Sequence, residues 1–143
     1  MDVSELRLQL IPFALVARAA RLLLCTTPAG FPSPAADDME EPIDLGAWLM
    51  THPAACYVMR VDGNSMIEAG ILSGDLIVVN RAKTARPGNI VVALVHGDRT
   101  LKRLKRRDDR LWLVAEAQGY KAMLVDEQVE IWGVVEGLAR QLR

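Results

Sequence analysis

Between residues 56 and 136 the chain breaks into short runs rich in Val, Ile and Leu, at 56–61, 76–80, 90–96, 99–105, 111–115 and 129–136. Gly, Asp and Pro signals separate them, and short β-rich runs divided by such breakers predict strands. Gly97-Asp98 fits a two-residue hairpin turn joining 90–96 to 99–105, and Arg107, Asp108 and Asp109 supply the next turn. The expected fold is therefore mostly β. It is a compact, twisted β-sheet or barrel-like domain over residues 45–143, with no internal repeat.

The N-terminal third reads differently. Phe13, Val16, Ala20 and Leu24 recur at spacings of three and four, with Arg18 and Arg21 on other faces, which predicts a helix over residues 3–24. Pro12 starts or breaks it. Pro28, Pro32 and Pro34 with Gly30 then forbid a helix and favour extended, accessible backbone. The acidic run Asp37, Asp38, Glu40 and Glu41 closes this stretch, and a short helix is expected around 45–51 with Asp44 as its cap. The expected organisation is an N-terminal helical or extended arm (1–29), a flexible linker (30–44) and a β domain (45–143).

Several function classes lose support from composition. A net charge of −1 argues against a partner bound mainly through its nucleic-acid backbone. Arg18 and Arg21 interrupt the apolar stretch 8–25, which falls short of the roughly 20 residues that span a bilayer. A secretory signal places its positive charges ahead of its apolar region, whereas here they lie inside it; a cytoplasmic protein with no membrane partner is expected. Cys25, Cys56, His52 and His96 match no ligand spacing, so neither a metal nor a disulfide framework is indicated, and no cofactor is implied.

The chemistry concentrates in Asp62-Gly63-Asn64-Ser65-Met66. A strand ends near Val61, Gly63 and Asn64 permit a tight turn, and Ser65 opens a short helical segment. A serine so placed presents its hydroxyl beyond the turn, beside backbone N–H groups able to stabilise an oxyanion. The same residues also read as ordinary turn chemistry with Ser65 as a helix cap. A nucleophilic serine needs a base, and neither histidine stands in a triad motif. Lys102 is the candidate. Period-2 alternation in Thr100-Leu101-Lys102-Arg103-Leu104 sets Lys102 on the face of Thr100 and Leu104. If Leu104 points inward, Lys102 is desolvated, and a neutral amine is a general base near neutral pH. A lysine snorkelling to the surface of a basic hairpin is the alternative.

The stretch Tyr57-Val58-Met59-Arg60-Val61-Asp62-Gly63-Asn64-Ser65-Met66, with Gly70-Ile71 and Gly74-Asp75 after it, resembles the nucleophile region of the LexA/UmuD family of self-cleaving proteins. Pro87-Gly88-Asn89-Ile90-Val91-Val92-Ala93 and Thr100-Leu101-Lys102-Arg103-Leu104 resemble that family's lysine region, and Gly30-Phe31-Pro32-Ser33-Pro34-Ala35-Ala36-Asp37 its cleavage-site segment. With Trp132-Gly133-Val134-Val135 the likeness covers roughly residues 30 to 137. It implies that Ser65 attacks, that Lys102 takes its proton, and that the scissile bond is Ala29–Gly30. Small side chains at that bond and the flanking Pro28 and Pro32 suit entry into a narrow cleft.

The resemblance further implies a homodimer in the SOS response, cleaved when RecA filaments form on single-stranded DNA. The product then serves a UmuC-type translesion polymerase. Residues 1–29 are too short for a helix-turn-helix domain, so sequence-specific DNA binding is not expected. Two alternatives remain: a type I signal-peptidase-like Ser/Lys endopeptidase, which needs a membrane anchor, and a non-catalytic polymerase-binding module. The basic run Lys102, Arg103, Lys105, Arg106, Arg107 reads as a solvated hairpin edge. Trp48, Trp112 and Trp132 read as core or dimer-interface anchors, and Asp75 as part of the turn after Gly74.

Overall fold

All six β-rich runs become strands in the computed structural model, which describes residues 6–7, 19–23, 29–31 and 40–142. They are β4 (Cys56–Val61), β5 (Leu76–Asn80), β6 (Ile90–Val95), β7 (Asp98–Arg107), β8 (Arg110–Val114) and β10 (Val129–Ala139). Two-residue strands β1 (Leu6–Arg7) and β9 (Met123–Leu124) complete one antiparallel sheet, in the order β1-β4-β5-β10-β6-β7-β8-β9. The mostly β fold read from the sequence holds. The last strand threads between β5 and β6, so Val134 pairs with both Asn80 and Val91 and is 1% exposed. Gly133 lets the strands close up there, since a Cβ on it would lie 2.6 Å from Val79 Cγ1.

Turn chemistry fixes the register of the β6–β7 and β7–β8 hairpins. Val95 pairs with Asp98, so the β6–β7 loop is His96-Gly97, one residue earlier than Gly97-Asp98. Both residues have left-handed φ values, 51° and 82°, as a two-residue turn of this hand requires. Asp108 and Asp109 do the same between Arg107 and Arg110, at φ 52° and 61°.

The N-terminal third departs from expectation. Where a helix was expected over 3–24, Leu6–Arg7 pairs with β4 and β2 (Ala19–Leu23) forms a ribbon with β3 (Glu40–Asp44). The rest of that expected helix, with Cys25, lies outside the described residues. Helix propensity is a weak prior, and an available ladder partner overrides it. The stretch 30–44 therefore ends in a strand, and Pro42 is tolerated in that ribbon because an edge position needs no N–H. The expected short helix is α1 (Leu45–Leu49), capped by Asp44 Oδ1 accepting the Ala47 N–H at 3.1 Å.

The sheet carries a core on each face. Met59, Val61, Met66, Ile71, Ile77, Val79, Val92 and Leu101 fill one, and Val91, Ala93, Leu104, Leu113 and Val134 the other. Trp132 packs against the first core, but Trp48 is 73% exposed on α1 and anchors no core. Two register shifts in β10 make Trp132 and Glu136 the extra residues of bulges, which re-aim their side chains. Glu136 accepts from Thr51 N–H, Thr51 Oγ1, Asn80 Nδ2 and Cys56 Sγ, tying the segment after α1 to the sheet. Burial and this carboxylate push the Cys56 thiol up to about 11.

Asp75, 2% exposed, is the main polar anchor of the loop between β4 and β5. Its carboxylate accepts the Leu72 N–H at 2.7 Å and both Nε and Nη2 of Arg140 at 2.6 Å. Arg140 holds this carboxyl below its ordinary value, against the opposing effect of burial. A depressed carboxylate contributes stability above the unfolded value of about 4 and loses it as pH falls through the folded one. Arg140→Ala should therefore lower the urea midpoint of unfolding at neutral pH, because it strands the buried Asp75 acceptor. Urea titrations should show the gap from wild type closing below pH 4, where the wild-type carboxylate also protonates.

Candidate active site

The strand β4 ends at Val61, and the chain turns through Gly63 at φ 120° before reaching Ser65. Ser73 Oγ accepts the Gly63 N–H at 3.1 Å, and Met66, 1% exposed, plugs the turn into the first core. The helical segment expected after Ser65 is a single tight turn, Ile67–Ala69, closed by Gly70 at φ 82°. Ser65 itself is 4% exposed. Its hydroxyl does not cap that turn. It donates instead to the carbonyl of Leu101 on β7, at 3.2 Å. The Ser65 and Met66 N–H groups donate to no acceptor among the described residues.

Lys102 is the residue after that carbonyl. It is 2% exposed, flanked by Thr100 at 0% and Leu104 at 1%, as alternation requires. Nζ donates to Thr100 Oγ1 at 2.8 Å, which confirms that the two side chains share a face. The ring of Tyr120 covers the amine at 5.4 Å from its centroid. Val91 on β6 is the cross-strand partner, so the aliphatic stem runs along the second core. The amine is thus removed from water, an environment that disfavours the ammonium form. Leu101 and Lys102 point to opposite faces of β7. Leu101 shares the first core with Met66 of the Ser65 turn, and the next residue carries the buried amine.

Two further residues hold the arrangement and were not singled out in the sequence. Glu116, after β8, donates its N–H to Ser65 O at 2.9 Å and accepts the Glu68 N–H at 2.8 Å. Its carboxylate pairs with Arg103, which holds it below its ordinary value despite burial. The i, i+2 spacing flagged Thr100, but nothing local marks Tyr120 or Glu116, whose contacts arise from the return of the chain after β8. Ala29, Gly30 and Phe31 are exposed, and a Cβ on Gly30 would meet nothing within 4 Å. The structure therefore ties the Ser65 hydroxyl to the strand that carries Lys102 and leaves Ala29 and Gly30 exposed to solvent. Among the described residues no helix is long and apolar enough to cross a membrane.

A family model described as Peptidase S24-like matches residues 22–136, a span that includes both Ser65 and Lys102. Protein SamA of Salmonella typhimurium is 43% identical over 116 residues, covering 81% of this chain and 81% of its own. Protein MucA of Escherichia coli is 43% identical over 110 residues, 75% of each chain. LexA repressor 1 of Pseudomonas syringae is 38% identical over 116 residues, 79% of this chain and 57% of its own. The family resemblance drawn from the sequence motifs holds.

A buried amine is costly to the fold whatever it does chemically. Replacing Lys102 with methionine keeps length and packing and relieves the burial of a polar group, at the loss of its hydrogen bond to Thr100. Lys102→Met should raise unfolding free energy by about 1 kcal/mol in urea titrations. A loss of comparable size would mean that the amine is a structural anchor.

Proposed function

Because this chain belongs to the peptidase S24-like family, a family of serine peptidases, we propose that it cuts its own Ala29–Gly30 bond with a Ser65/Lys102 dyad. The observation that carries the reading is the buried Lys102 amine, one residue along β7 from the carbonyl that holds the Ser65 hydroxyl. In the neutral form Nζ accepts the Ser65 proton as Oγ bonds to the Ala29 carbonyl carbon. The Ser65 and Met66 N–H groups, which donate to no acceptor among the described residues, suit the developing oxyanion. Collapse breaks the C–N bond, and the Gly30 nitrogen leaves with the proton held by Lys102. Water, deprotonated by the same amine, then releases Ala29 as a carboxylate and restores Ser65.

The exposed position of Ala29 and Gly30 makes docking of the arm a separate step. Tethering supplies the effective concentration, so modest alignment suffices once the bond enters the cleft. Residues 1–29 are then the arm that is removed, and the remainder is the working product. In line with the family likeness, this is SOS self-cleavage in the cytoplasm. RecA filaments on single-stranded DNA stimulate it, and a homodimeric product assists a UmuC-type translesion polymerase. The signal-peptidase alternative loses ground on the match of residues 22–136 to the Peptidase S24-like family.

The test is intact mass after incubation of purified full-length protein at alkaline pH, with and without RecA filaments. Wild type should split between Ala29 and Gly30, while Ser65→Ala and Lys102→Ala should slow the cut by about 10³-fold or more. Cutting at the wild-type rate in either variant would overturn the dyad. A wild-type chain that stays whole even with filaments would favour the non-catalytic binding module.

A further inference from the structure

The proposed nucleophile and base lie on elements that share no ladder. Ser65 sits between β4 and β5, and Lys102 on β7, with β10 and β6 between them in the sheet order. Besides the Ser65 hydroxyl and the packing of Met66 on Leu101, the tie between them runs through Glu116. Its backbone brackets the serine turn from both sides, through Ser65 O and the Glu68 N–H. Its carboxylate pairs with Nε of Arg103, the neighbour of Lys102, and Arg103 Nη1 donates onward to Gly88 O at 2.9 Å. The two side chains are 26% and 23% exposed, and a partly exposed ion pair contributes little to stability. Geometry is where such a contact can matter, because a misplacement of about 1 Å costs a reaction of this kind about 10²-fold.

We propose that Glu116 is a positioning residue for self-cleavage: it clamps the Ser65 turn to the Lys102 strand and sets the separation of hydroxyl and amine. This rests on the Ser65/Lys102 reading. The carboxylate works from the far side of β7, since Arg103 and Lys102 alternate across the strand. It therefore acts through the placement of the turn and makes no contact with the reacting atoms.

The experiment measures self-cleavage of the full chain against pH by intact mass, with thermal unfolding of each variant alongside. Glu116→Ala should lower the alkaline plateau rate about 10- to 100-fold, with the midpoint of the pH profile unmoved and the protein folded at the assay temperature. Glu116→Gln still accepts the Arg103 Nε–H and should stay within about threefold of wild type. Arg103→Gln breaks the clamp from the other side and should reproduce the plateau loss; it decides the matter if Glu116→Ala does not fold. A wild-type plateau in folded Glu116→Ala, with Ser65→Ala and Lys102→Ala inactive, would overturn this inference and leave the dyad standing. A shifted midpoint with an unchanged plateau would also overturn it, since the carboxylate would then act on Lys102 by its charge. Cutting retained in Ser65→Ala would remove the dyad and this inference with it.

Discussion

The amine of Lys102, held out of water in the middle of β7, sets the demands that the rest of the fold meets. An amine can be hidden there only because β7 is covered on both faces, so that Leu101 enters one core and Lys102 the other. That double burial depends on β10 running back through the centre of the sheet, where Gly133 admits the close approach of Val79. The polar end then needs partners that an apolar core lacks. Thr100 supplies one from two residues away on the same strand, and Tyr120 closes the opening with a ring face. Burial of a lysine is destabilising on its own account, and a fold that maintains it at 2% exposure makes sense when the amine is required in its neutral, basic form.

Asp75, Asn80 and Glu136 stand at junctions, where the chain leaves the ladder and regular hydrogen bonding stops. Asp75 with Arg140 pins the return of the β4–β5 loop to the end of β10. Asn80 closes the turn after β5 by accepting from Ala82 and Lys83, while its amide reaches Thr51 and Glu136. Glu136 in turn gathers the segment that follows α1. These clusters share one logic: an unpaired polar group in the interior costs more than its bond returns, so each is satisfied several times over. The β4–β5 turn that carries Ser65 is fixed likewise, at Gly63 by Ser73 and at Leu72 by Asp75.

Legibility followed the range of the interactions. Strands 56–61 and 76–80 were readable to the residue, because β-branched runs between turn signals are local facts. So was the Asp44 cap. The turn at His96-Gly97 was missed by one residue. Composition favours Gly-Asp there, yet the pairing of Val95 with Asp98 decides which residues take left-handed backbone. The arm is illegible for a deeper reason. Leu-rich sequence with three- and four-residue spacing satisfies a helix, and only the presence of β3 as a partner makes Ala19–Leu23 a strand. In the site, alternation alone located Lys102 against Thr100 and Leu104. Glu116 and Tyr120 could not be found that way, since they meet the site by tertiary return after β8, and Arg140 reaches Asp75 across 65 residues of sequence.

The pairing of β2 with β3 bears on when the proposed cut happens. The Ala29–Gly30 bond lies in the stretch between those two strands, so both ends of its tether are fastened to one ribbon. Glu40–Asp44 continues directly into α1, which Thr51 and Glu136 fasten to the sheet. A bond tethered this way meets the proposed dyad within one chain, yet Ala29 and Gly30 remain exposed. On the proposed mechanism the chemistry is preassembled and docking is the gate. An agent that favours the docked arm speeds the cut without touching Ser65 or Lys102, by no more than its preference for that state over the exposed one. A filament that recognises the docked form is sufficient on this basis, and so is any condition that raises the neutral fraction of the amine once the arm is home. On the proposed mechanism the two levers multiply, so a Ser65/Lys102 dyad would stay slow until both act.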